Sequence, residues 1–415
     1  MKTLILLCDQ YPNKKGEFFL DDELIVISRY FKKIIILSVN DGETETNRSI
    51  PENAELKNIN VYLTNKEKIF GIFGLLINLR FLLKEFQTII NTYKLNLNLR
   101  LIKIALVDFL KAKKVENKLK TLIKNKNLSK DKVVIYSYWN DYKALACSFL
   151  AREGFFSIAR CHRWDIYLYS QAPPYLPFKP FILGNLNITI SISDDGKKYL
   201  NEIFKNKFTD KIEVSKLGKF NTHTPNEGSM KVNEIHIVSC STLTSVKRVE
   251  KIIEVLKILN NEYKLTVNWC HFGDGSLREK LEIKAKKDLI NYNFFGVQQN
   301  DYLLEFYNEN YIDLFINLSD SEGIPVSIME AQSAGIPVLA TDVGGTPEIV
   351  NNENGILVDK DELNEVIAQK IKDYLDLPEV EKLKKRDLSY QNWKENYNAE
   401  TNYTNFIQTI ITLKP

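Results

Sequence analysis

The sequence is poor in the residues that build disulfide scaffolds and metal centres. Its 415 residues include five cysteines and four histidines, and no two cysteines have CxxC spacing. Scattered cysteines in odd number favour free thiols in a reducing compartment over disulfides or a zinc site. His223, His236 and His271 show no ligand spacing, and Asp320-x-Glu322 is a metal pair by composition only. We therefore expect neither a bound metal nor a cofactor.

Long apolar runs are also missing. No stretch approaches the 18 or so uncharged apolar residues of a membrane-spanning helix, and the longest candidate, residues 69–83, contains two glycines, Asn78 and Arg80. The apolar start Met1–Cys8 meets Asp9 and Pro12 before any small-residue cleavage site. We interpret it as a buried first strand and expect a cytoplasmic protein.

The sequence has no large excess of one charge. Lys and Arg number 56 and Asp and Glu 53, a net charge of +3, which argues against a dedicated nucleic-acid binder. However, residues 64–135 carry 16 basic and five acidic side chains, or +11, and the rest carries −8. Residues 69–76 and 81–86 add large apolar groups there. This stretch predicts contact with an anionic membrane surface, at the inner face of the cell membrane; a solvated lysine-rich helical face is the alternative.

Short apolar runs alternate with helical patterns, which predicts an α/β protein with parallel sheets. The expected strands are 4–7, 33–39, 133–137, 188–192, 235–239, 265–272, 314–318 and 338–341, and expected helices include 249–259, 277–286 and 326–334. A loop-like seam near residues 212–232 predicts two doubly wound domains. We place these domains at 1–215 and 216–394.

The most informative segment is Asn317–Ala331. A buried strand ends at Leu318, a polar loop carries Glu322, and Pro325 opens a helix. The amides of the helix start, at Val326 and Ser327, form a natural phosphate site. Glu330 lies about 7 Å further along the axis, a suitable distance for ribose hydroxyls of a nucleotide whose diphosphate lies at the helix start. Glu322 lies on the other side, where a transferred sugar would bind.

Glu322-x7-Glu330, followed by Ala334-Gly335-Ile336-Pro337-Val338 and Gly344-Gly345-x-x-Glu348, resembles the retaining family 4 glycosyltransferases. The resemblance implies a GT-B fold, in which two Rossmann-like domains face a central cleft and a C-terminal helix, about 395–415 here, packs back on the first domain. Glu322 would then hold the donor sugar and Glu330 the ribose. Lys247 matches the lysine that neutralises the donor diphosphate. The family usually has an arginine at the position of Thr242, and Arg248 is the candidate to compensate.

Further residues match the family in the expected order. The resemblance implies donor-binding roles for Gly16, Gly273, Gly275, Val297, Gly323, Ile324 and Pro325. His162 matches the residue near the transferred sugar, so the catalytic candidates are His162, Lys247 and Glu322. Acceptor-side candidates are Glu17, Trp139, Arg163 and Asp165. Structural roles remain open for these residues: a turn glycine for Gly16, packing for Trp139, and a core histidine for His162.

The resemblance implies transfer of a hexose-type sugar from a nucleotide-diphosphate donor, without a metal ion and with retention at the anomeric carbon. A glycan or polyprenyl-linked acceptor in bacterial surface polysaccharide assembly fits best. We prefer same-face attack with the phosphate as base, because a double displacement requires a positioned carboxylate, for which Asp165 is the nearby candidate. A nucleotide-sugar epimerase and a non-catalytic nucleotide-sugar-binding protein are the alternatives.

Overall fold

The computed structural model describes residues 2–13, 17–39, 48–64, 78–222, 225 and 234–413. The chain forms two compact units. The first contains Met1–Lys216 and Tyr403–Pro415, and the second contains Leu217–Asn402. Within the described ranges, no helix combines the length and the apolar character needed to cross a membrane.

The first unit is built on a parallel sheet. Its strands are β1 (Lys2–Cys8), β2 (Phe31–Ser38), β3 (Ala54–Asn58), β4 (Val133–Ser137), β5 (Phe156–Cys161), β6 (Ile188–Ser191) and β7 (Ile212–Val214). Their spatial order is β3-β2-β1-β4-β5-β6-β7. The order reverses between β1 and β4, which makes this point the switch point of the sheet.

Helices cover the sheet of the first unit. They are α1 (Leu20–Ile27), α2 (Leu79–Asn91), α3 (Leu99–Asn125), α4 (Tyr142–Arg152), α5 (Arg163–Ile166), α6 (Lys179–Asn185) and α7 (Asp194–Ile203). The long α3 shows why such segments are helical. Asn98 caps it by accepting from the Leu101 amide at 3.0 Å, and Leu101, Ala105, Phe109 and Ala112 form a buried stripe at helical spacing.

The second unit repeats this design. Its strands are β8 (Ile235–Cys240), β9 (Val267–Phe272), β10 (Asn291–Gly296), β11 (Leu314–Asn317), β12 (Val338–Thr341) and β13 (Gly355–Val358). Its helices are α8 (Val249–Asn261), α9 (Arg278–Asp288), α10 (Asn300–Glu309), α11 (Val326–Ser333), α12 (Asn364–Leu375) and α13 (Glu379–Asn396). The parallel strands follow the order β10-β9-β8-β11-β12-β13, with the switch point between β8 and β11.

The predicted fold class, with two Rossmann-like parallel-sheet domains, is confirmed. The predicted bounds of β4 and β12 match the structure, and α11 ends one residue earlier than predicted. The strand β3 was not predicted, because its half-buried sequence Ala-Glu-Leu-Lys-Asn lies at the sheet edge and lacks an apolar run.

The last helix, α14 (Ala399–Leu413), begins in the second unit and ends in the first. Within the first unit, Phe406 lies under the guanidinium of Arg160, with 4.4 Å from Cζ to the ring centroid. Arg160 is fully buried and also donates to the Tyr136 hydroxyl at 2.8 Å and to the Ser215 carbonyl at 2.8 Å. Arg160 therefore connects the sheet to Ser215, at the end of the first segment of the unit, and to Phe406, in the C-terminal segment of the same unit.

Candidate active site

The loops after β8 and β11 meet at the switch point of the second unit. Lys247 follows β8, and its Nζ lies 2.6 Å from Oε1 of Glu322, which follows β11. Asn317, at the end of β11, also donates to Glu322 Oε1, at 3.4 Å. The Glu322 side chain is buried and that of Lys247 is one-quarter exposed. The structure thus brings together the cation and the first carboxylate of the predicted site.

The start of α11, at Val326, follows Glu322 closely in sequence. Ile328 and Met329 donate to the Pro325 carbonyl, at 3.1 and 3.4 Å, whereas the amides of Val326 and Ser327 have no acceptor within the helix. Both residues are half-buried. Two outward amides at the positive end of a helix are suited to an anionic group.

The preceding loop supports the start of α11. Gly323, Ile324 and Pro325 are all buried. The Gly323 carbonyl accepts from the Gly345 amide at 2.8 Å. This bond ties the loop to the glycine pair of the sequence motif, so we assign Gly323 and Ile324 to positioning of the helix start.

Glu330 lies one turn into α11 and is buried. Its Oε1 accepts from Asn300 Nδ2 at 2.7 Å, and Lys219 Nζ lies 3.7 Å from the same oxygen. Sequence reasoning identified Glu330 but neither partner. Asn300 opens α10, and Lys219 lies in the loop after β7, so neither lies in the motif that revealed Glu330.

Arg248 follows Lys247 and adopts a left-handed backbone conformation, with φ 47°. Its Nη1 donates to Asp320 Oδ1 and to the Lys360 carbonyl, both at 2.8 Å. The guanidinium therefore holds two loops of the second unit together. Its bonds give Arg248 a structural role alongside the predicted one of compensating for Thr242.

The glycine loop after β9 packs directly against the loop after β8. A Cβ at Gly273, whose φ is +125°, would lie 1.9 Å from the Ser241 carbonyl oxygen. A Cβ at Gly275 would lie 2.6 Å from the Leu243 carbonyl oxygen. Both positions therefore require glycine for a close backbone approach. Val297 follows β10 and is 66% exposed, so its side chain is available to a ligand.

In the first unit, His162 follows β5 inside an aromatic cluster. Its ring lies 4.6 Å from that of Trp139, 4.8 Å from that of Tyr138 and 5.4 Å from that of Phe19, between centroids. Burial, and secondarily the charge of Arg160, lowers the pKa of His162 to about 3. The ring is therefore neutral at physiological pH.

The hydrogen bonds of this histidine define its chemistry. One ring nitrogen bonds the Tyr138 backbone, while Nε2 is buried and has no partner among the described residues. A neutral ring that donates to a carbonyl through Nδ1 leaves Nε2 as an acceptor. His162 is thus equipped to accept a hydrogen bond from a hydroxyl, and not to deliver a proton.

Asp165 is buried beneath His162. Its two oxygens accept from the backbone amides of His162 and Asn140, each at 2.6 Å. Burial nevertheless raises the pKa of Asp165 to about 6. The carboxylate links the loops after β4 and β5 through both oxygens. It is therefore a positioning group in this structure.

Glu17 also faces its own backbone. Its oxygens accept from the amides of Asp9, Gln10 and Tyr11 at 2.7 to 2.8 Å, and from the Trp139 indole at 2.6 Å. Four donors fully engage this carboxylate, so Glu17 shapes the loop after β1. Sequence alone could not show that orientation.

The remaining first-unit candidates give less information. Trp139 is half-buried, with its indole nitrogen used by Glu17. Arg163 is half-buried at the start of α5. Gly16 lies outside the described residues. In the part of the chain that the structure describes, no group of three His, Cys, Asp or Glu side chains has metal-binding geometry.

Comparison with known proteins places these features in a family context. Residues 222–395, less than half of the chain, match the family model described as glycosyl transferases group 1. The chain is 38% identical over 120 residues to the O-antigen biosynthesis glycosyltransferase WbnH of Escherichia coli. That match covers 29% of this chain and only 32% of the relative. The sequence likeness is therefore confined to part of each protein.

Solved structures match over the full length. Anabaena HepE in complex with UDP and glucose aligns with a TM-score of 0.64 at 15% identity, over 99% of this chain and 100% of that one. Sucrose-phosphate synthase from Thermosynechococcus elongatus aligns with a TM-score of 0.72 at 13% identity, over 100% and 99%. At these identities the likeness shows the fold, which is GT-B. Residues 222–395, which match the glycosyl transferases group 1 model, lie within the second unit.

Proposed function

We propose that this chain is a retaining, metal-independent glycosyltransferase of family 4. It transfers a hexose-type sugar from a nucleotide-diphosphate donor to a glycan or lipid-linked glycan. The E. coli relative is named for O-antigen biosynthesis, and assembly of a bacterial surface polysaccharide is the corresponding role here. The Lys247–Glu322 pair beside the start of α11 is the observation that carries the proposal.

Lys247 neutralises the donor diphosphate in this proposal. An ammonium has three donors, so Lys247 can hold Glu322 and still reach a phosphate oxygen. The amides of Val326 and Ser327 supply further donors. Together they stabilise the negative charge that develops on the departing nucleoside diphosphate, which is the largest contribution we expect to catalysis.

The two glutamates orient the donor. A carboxylate accepts hydrogen bonds from paired hydroxyls, and Glu330 is buried with Asn300 and Lys219 beside it. We assign it to the ribose. We assign Glu322 to the transferred sugar, as its match to the family motif implies. His162 Nε2 is the acceptor that we assign to a sugar hydroxyl.

Same-face attack accounts for retention in this proposal. The acceptor hydroxyl attacks as the diphosphate leaves, and a phosphate oxygen takes its proton, so alignment supplies the entropic part of catalysis. Double displacement would need Asp165 as nucleophile. Asp165 is buried and both its oxygens bond backbone amides, which disfavours that route.

A thermal-shift screen against UDP-, GDP- and ADP-sugars tests the donor. Anabaena HepE binds UDP and glucose, so we expect a UDP-sugar to raise the unfolding midpoint most, because a ligand that binds only the folded state stabilises it. Product analysis with an acceptor and chelator then tests the activity. No shift with any donor contradicts the proposal. Binding without transfer supports the non-catalytic alternative, and a changed free nucleotide sugar supports an epimerase.

We also propose that the first unit lies on an anionic membrane. Leu79, Leu83 and Ile90 on α2 are each 48% exposed and recur along one face, and Leu99 at the start of α3 is 85% exposed. Exposed Arg80 and Lys84 directly follow Leu79 and Leu83 in sequence. Apolar wedges among cations are typical of helices that lie in the membrane interface. Residues 65–77 of the predicted basic stretch lie outside the described residues.

Liposome flotation tests this surface. We expect binding to vesicles with anionic lipid at low salt, weaker binding at high salt, and loss on Leu83→Glu or Leu99→Glu. Leu363→Glu is the matched control, since Leu363 is 65% exposed in the second unit. The proposal is contradicted if the wild type floats with neutral vesicles but not with anionic ones, or if all variants bind equally.

A further inference from the structure

The first unit contains a pocket that the donor chemistry does not use. Its volume is about 220 Å³. It opens at the edge of the sheet where β4 and β5 end, which is where open α/β sheets bind ligands. Its polar and aromatic lining includes Asp108 of α3, Asn140 and Asp141 after β4, and Trp164 and Asp165 after β5.

Asn140 supplies an unused donor in this pocket. Lys179 Nζ donates to Asn140 Oδ1 at 2.8 Å, and also to the carbonyls of Asn140 and Asp165 at 2.6 and 2.7 Å. Because an ammonium only donates, it fixes which end of the amide is the oxygen. The opposite end, Nδ2, is buried without an acceptor among the described residues, and Asn140 is only 2% exposed. A buried donor of this kind costs stability unless a ligand or water satisfies it.

Asp108 supplies acceptor capacity. It is half-buried on α3, and no described side chain forms a hydrogen bond or ion pair with it. Burial, and secondarily the charge of Asp141, raises the pKa of Asp108 to about 7. A carboxyl group that changes protonation near neutrality can both accept and donate toward a hydroxyl.

The charge of the pocket selects among ligands. Lys179 is the cation that lines it, and its ammonium is engaged by three oxygens of the protein. Asp108, Asp141 and Asp165 add acidic groups, and Asp141 is paired with Lys143, whose buried ammonium is also held by Asp9. An anionic ligand would therefore meet carboxylates and no unengaged cation in the lining of the pocket, which disfavours phosphates and uronic acids.

Trp164 provides the apolar wall. It is 58% exposed although it lies shortly after the buried strand β5. The Gln171 side chain donates to its backbone carbonyl. An aromatic face offers a large rigid contact area at little conformational cost. Together with hydroxyl partners on the other side, this arrangement suits a ring that is apolar on its face and polar on its rim.

We infer that this pocket is a subsite for one non-acidic pyranose of the acceptor, held by Asp108 and Asn140 against Trp164. The inference rests on the proposed glycosyltransferase function. The volume equals roughly seven water molecules at about 30 Å³ each, which accommodates a single sugar ring. Asp165 lines the pocket and bonds the His162 amide, so the subsite adjoins the residue assigned to the transferred sugar.

Ligand-observed NMR on the full chain tests the subsite. The probes are the methyl glycosides of glucose, galactose, N-acetylglucosamine and glucosamine, with methyl glucuronide as the acidic comparator. We expect at least one non-acidic glycoside to bind, and the glucuronide to bind about tenfold more weakly or not at all. Absence of binding by all four, or equal binding of the glucuronide, overturns the inference.

Variants localise the binding. We expect Asp108→Asn and Trp164→Ala each to weaken glycoside binding at least fivefold. Asp210→Asn and Tyr302→Ala are the controls, because both replace an exposed side chain that does not line the pocket. Unchanged binding in both pocket variants overturns the inference. Thermal shifts with the UDP-sugar, measured on the same samples, show whether each variant is folded. They also separate the two hypotheses: if the wild type binds the donor but no glycoside, the proposed function is retained and the subsite is rejected.

Discussion

Lys247 and Glu322 contact each other across the switch point of the second sheet, with 2.6 Å between Nζ and Oε1. The two residues are 75 positions apart in sequence. They meet because β8 and β11 are neighbours in the sheet, and parallel neighbours end at the same edge. The fold thereby pairs a partly exposed ammonium with a buried carboxylate in the loop that leads to α11.

Lys247→Ala tests the cation. We expect kcat to fall about 10²–10³-fold, since removing one preformed charge-stabilising donor has an effect of this size. The matched control is Lys257→Ala, which removes a lysine paired with Asp288 on the surface of the same unit. Near-normal turnover of Lys247→Ala, measured with saturating donor, contradicts the assigned role.

Glu330→Gln tests ribose recognition. A hydrogen bond to a charged group contributes about 1.5–3 kcal/mol, so we expect donor affinity to fall roughly tenfold to a hundredfold by calorimetry. A sharper measurement compares the affinity for the ribose-containing nucleotide with the affinities for its 2′-deoxy and 3′-deoxy forms. The wild type should lose affinity for at least one deoxy nucleotide, and the variant should no longer distinguish it.

The control for this experiment is Glu279→Gln, an exposed glutamate on α9. It should bind the donor as the wild type does and keep the discrimination. If Glu330→Gln retains full discrimination between ribose and deoxyribose, Glu330 does not bind the sugar of the nucleotide.

Sequence reasoning found the parts of the site that lie in local motifs. Glu322, Glu330 and the start of α11 lie within one strand–loop–helix segment, where spacing translates directly into geometry. Asn300 and Lys219 were missed because they reach Glu330 from other loops, 30 and 111 positions away in sequence. Contacts of that kind depend on how strands are ordered in the sheet.

Side-chain orientation was the second feature that could not be predicted from the sequence. The motif suggested that Glu17 faces the acceptor, and the structure shows four donors converging on it from its own loop and from Trp139. A carboxylate near a loop can bind a ligand or cap the backbone, and both uses have the same sequence signature. The strand pattern was better determined, since burial on both faces requires a continuous apolar run.

Arg160 and Glu23 form a buried pair in the first unit, with 3.4 Å between Nη2 and Oε1 and with Tyr136 bonded to both. Arg160→Met should lower the free energy of unfolding by about 3–5 kcal/mol, because Glu23 would remain buried without its partner. The double variant Arg160→Met/Glu23→Leu should recover much of that loss. Urea unfolding measures both, and a double variant less stable than the single one would contradict this explanation.

The final prediction concerns pH and His162. The pKa of His162 is lowered to about 3, so between that value and its ordinary pKa of about 6.5 the unfolded chain binds a proton that the folded chain does not. The free energy of unfolding therefore falls as pH decreases through this window, by up to about 2 kcal/mol for one histidine between pH 6.5 and 5. His271, whose pKa burial lowers to about 4, acts in the same direction. Asp165 acts in the opposite direction because burial raises its pKa to about 6.

The difference between variant and wild type isolates the histidine from these other groups. His162→Gln should be less stable at pH 7, because it loses the ring contacts with Trp139 and Tyr138. From pH 6.5 to 5 it should lose about 2 kcal/mol less than the wild type, since glutamine does not titrate. His271→Gln should flatten the curve similarly. Parallel curves for the wild type and His162→Gln would mean that His162 takes up its proton in the folded chain at the same pH as in the unfolded chain. That result would contradict a ring that burial keeps neutral over this pH range.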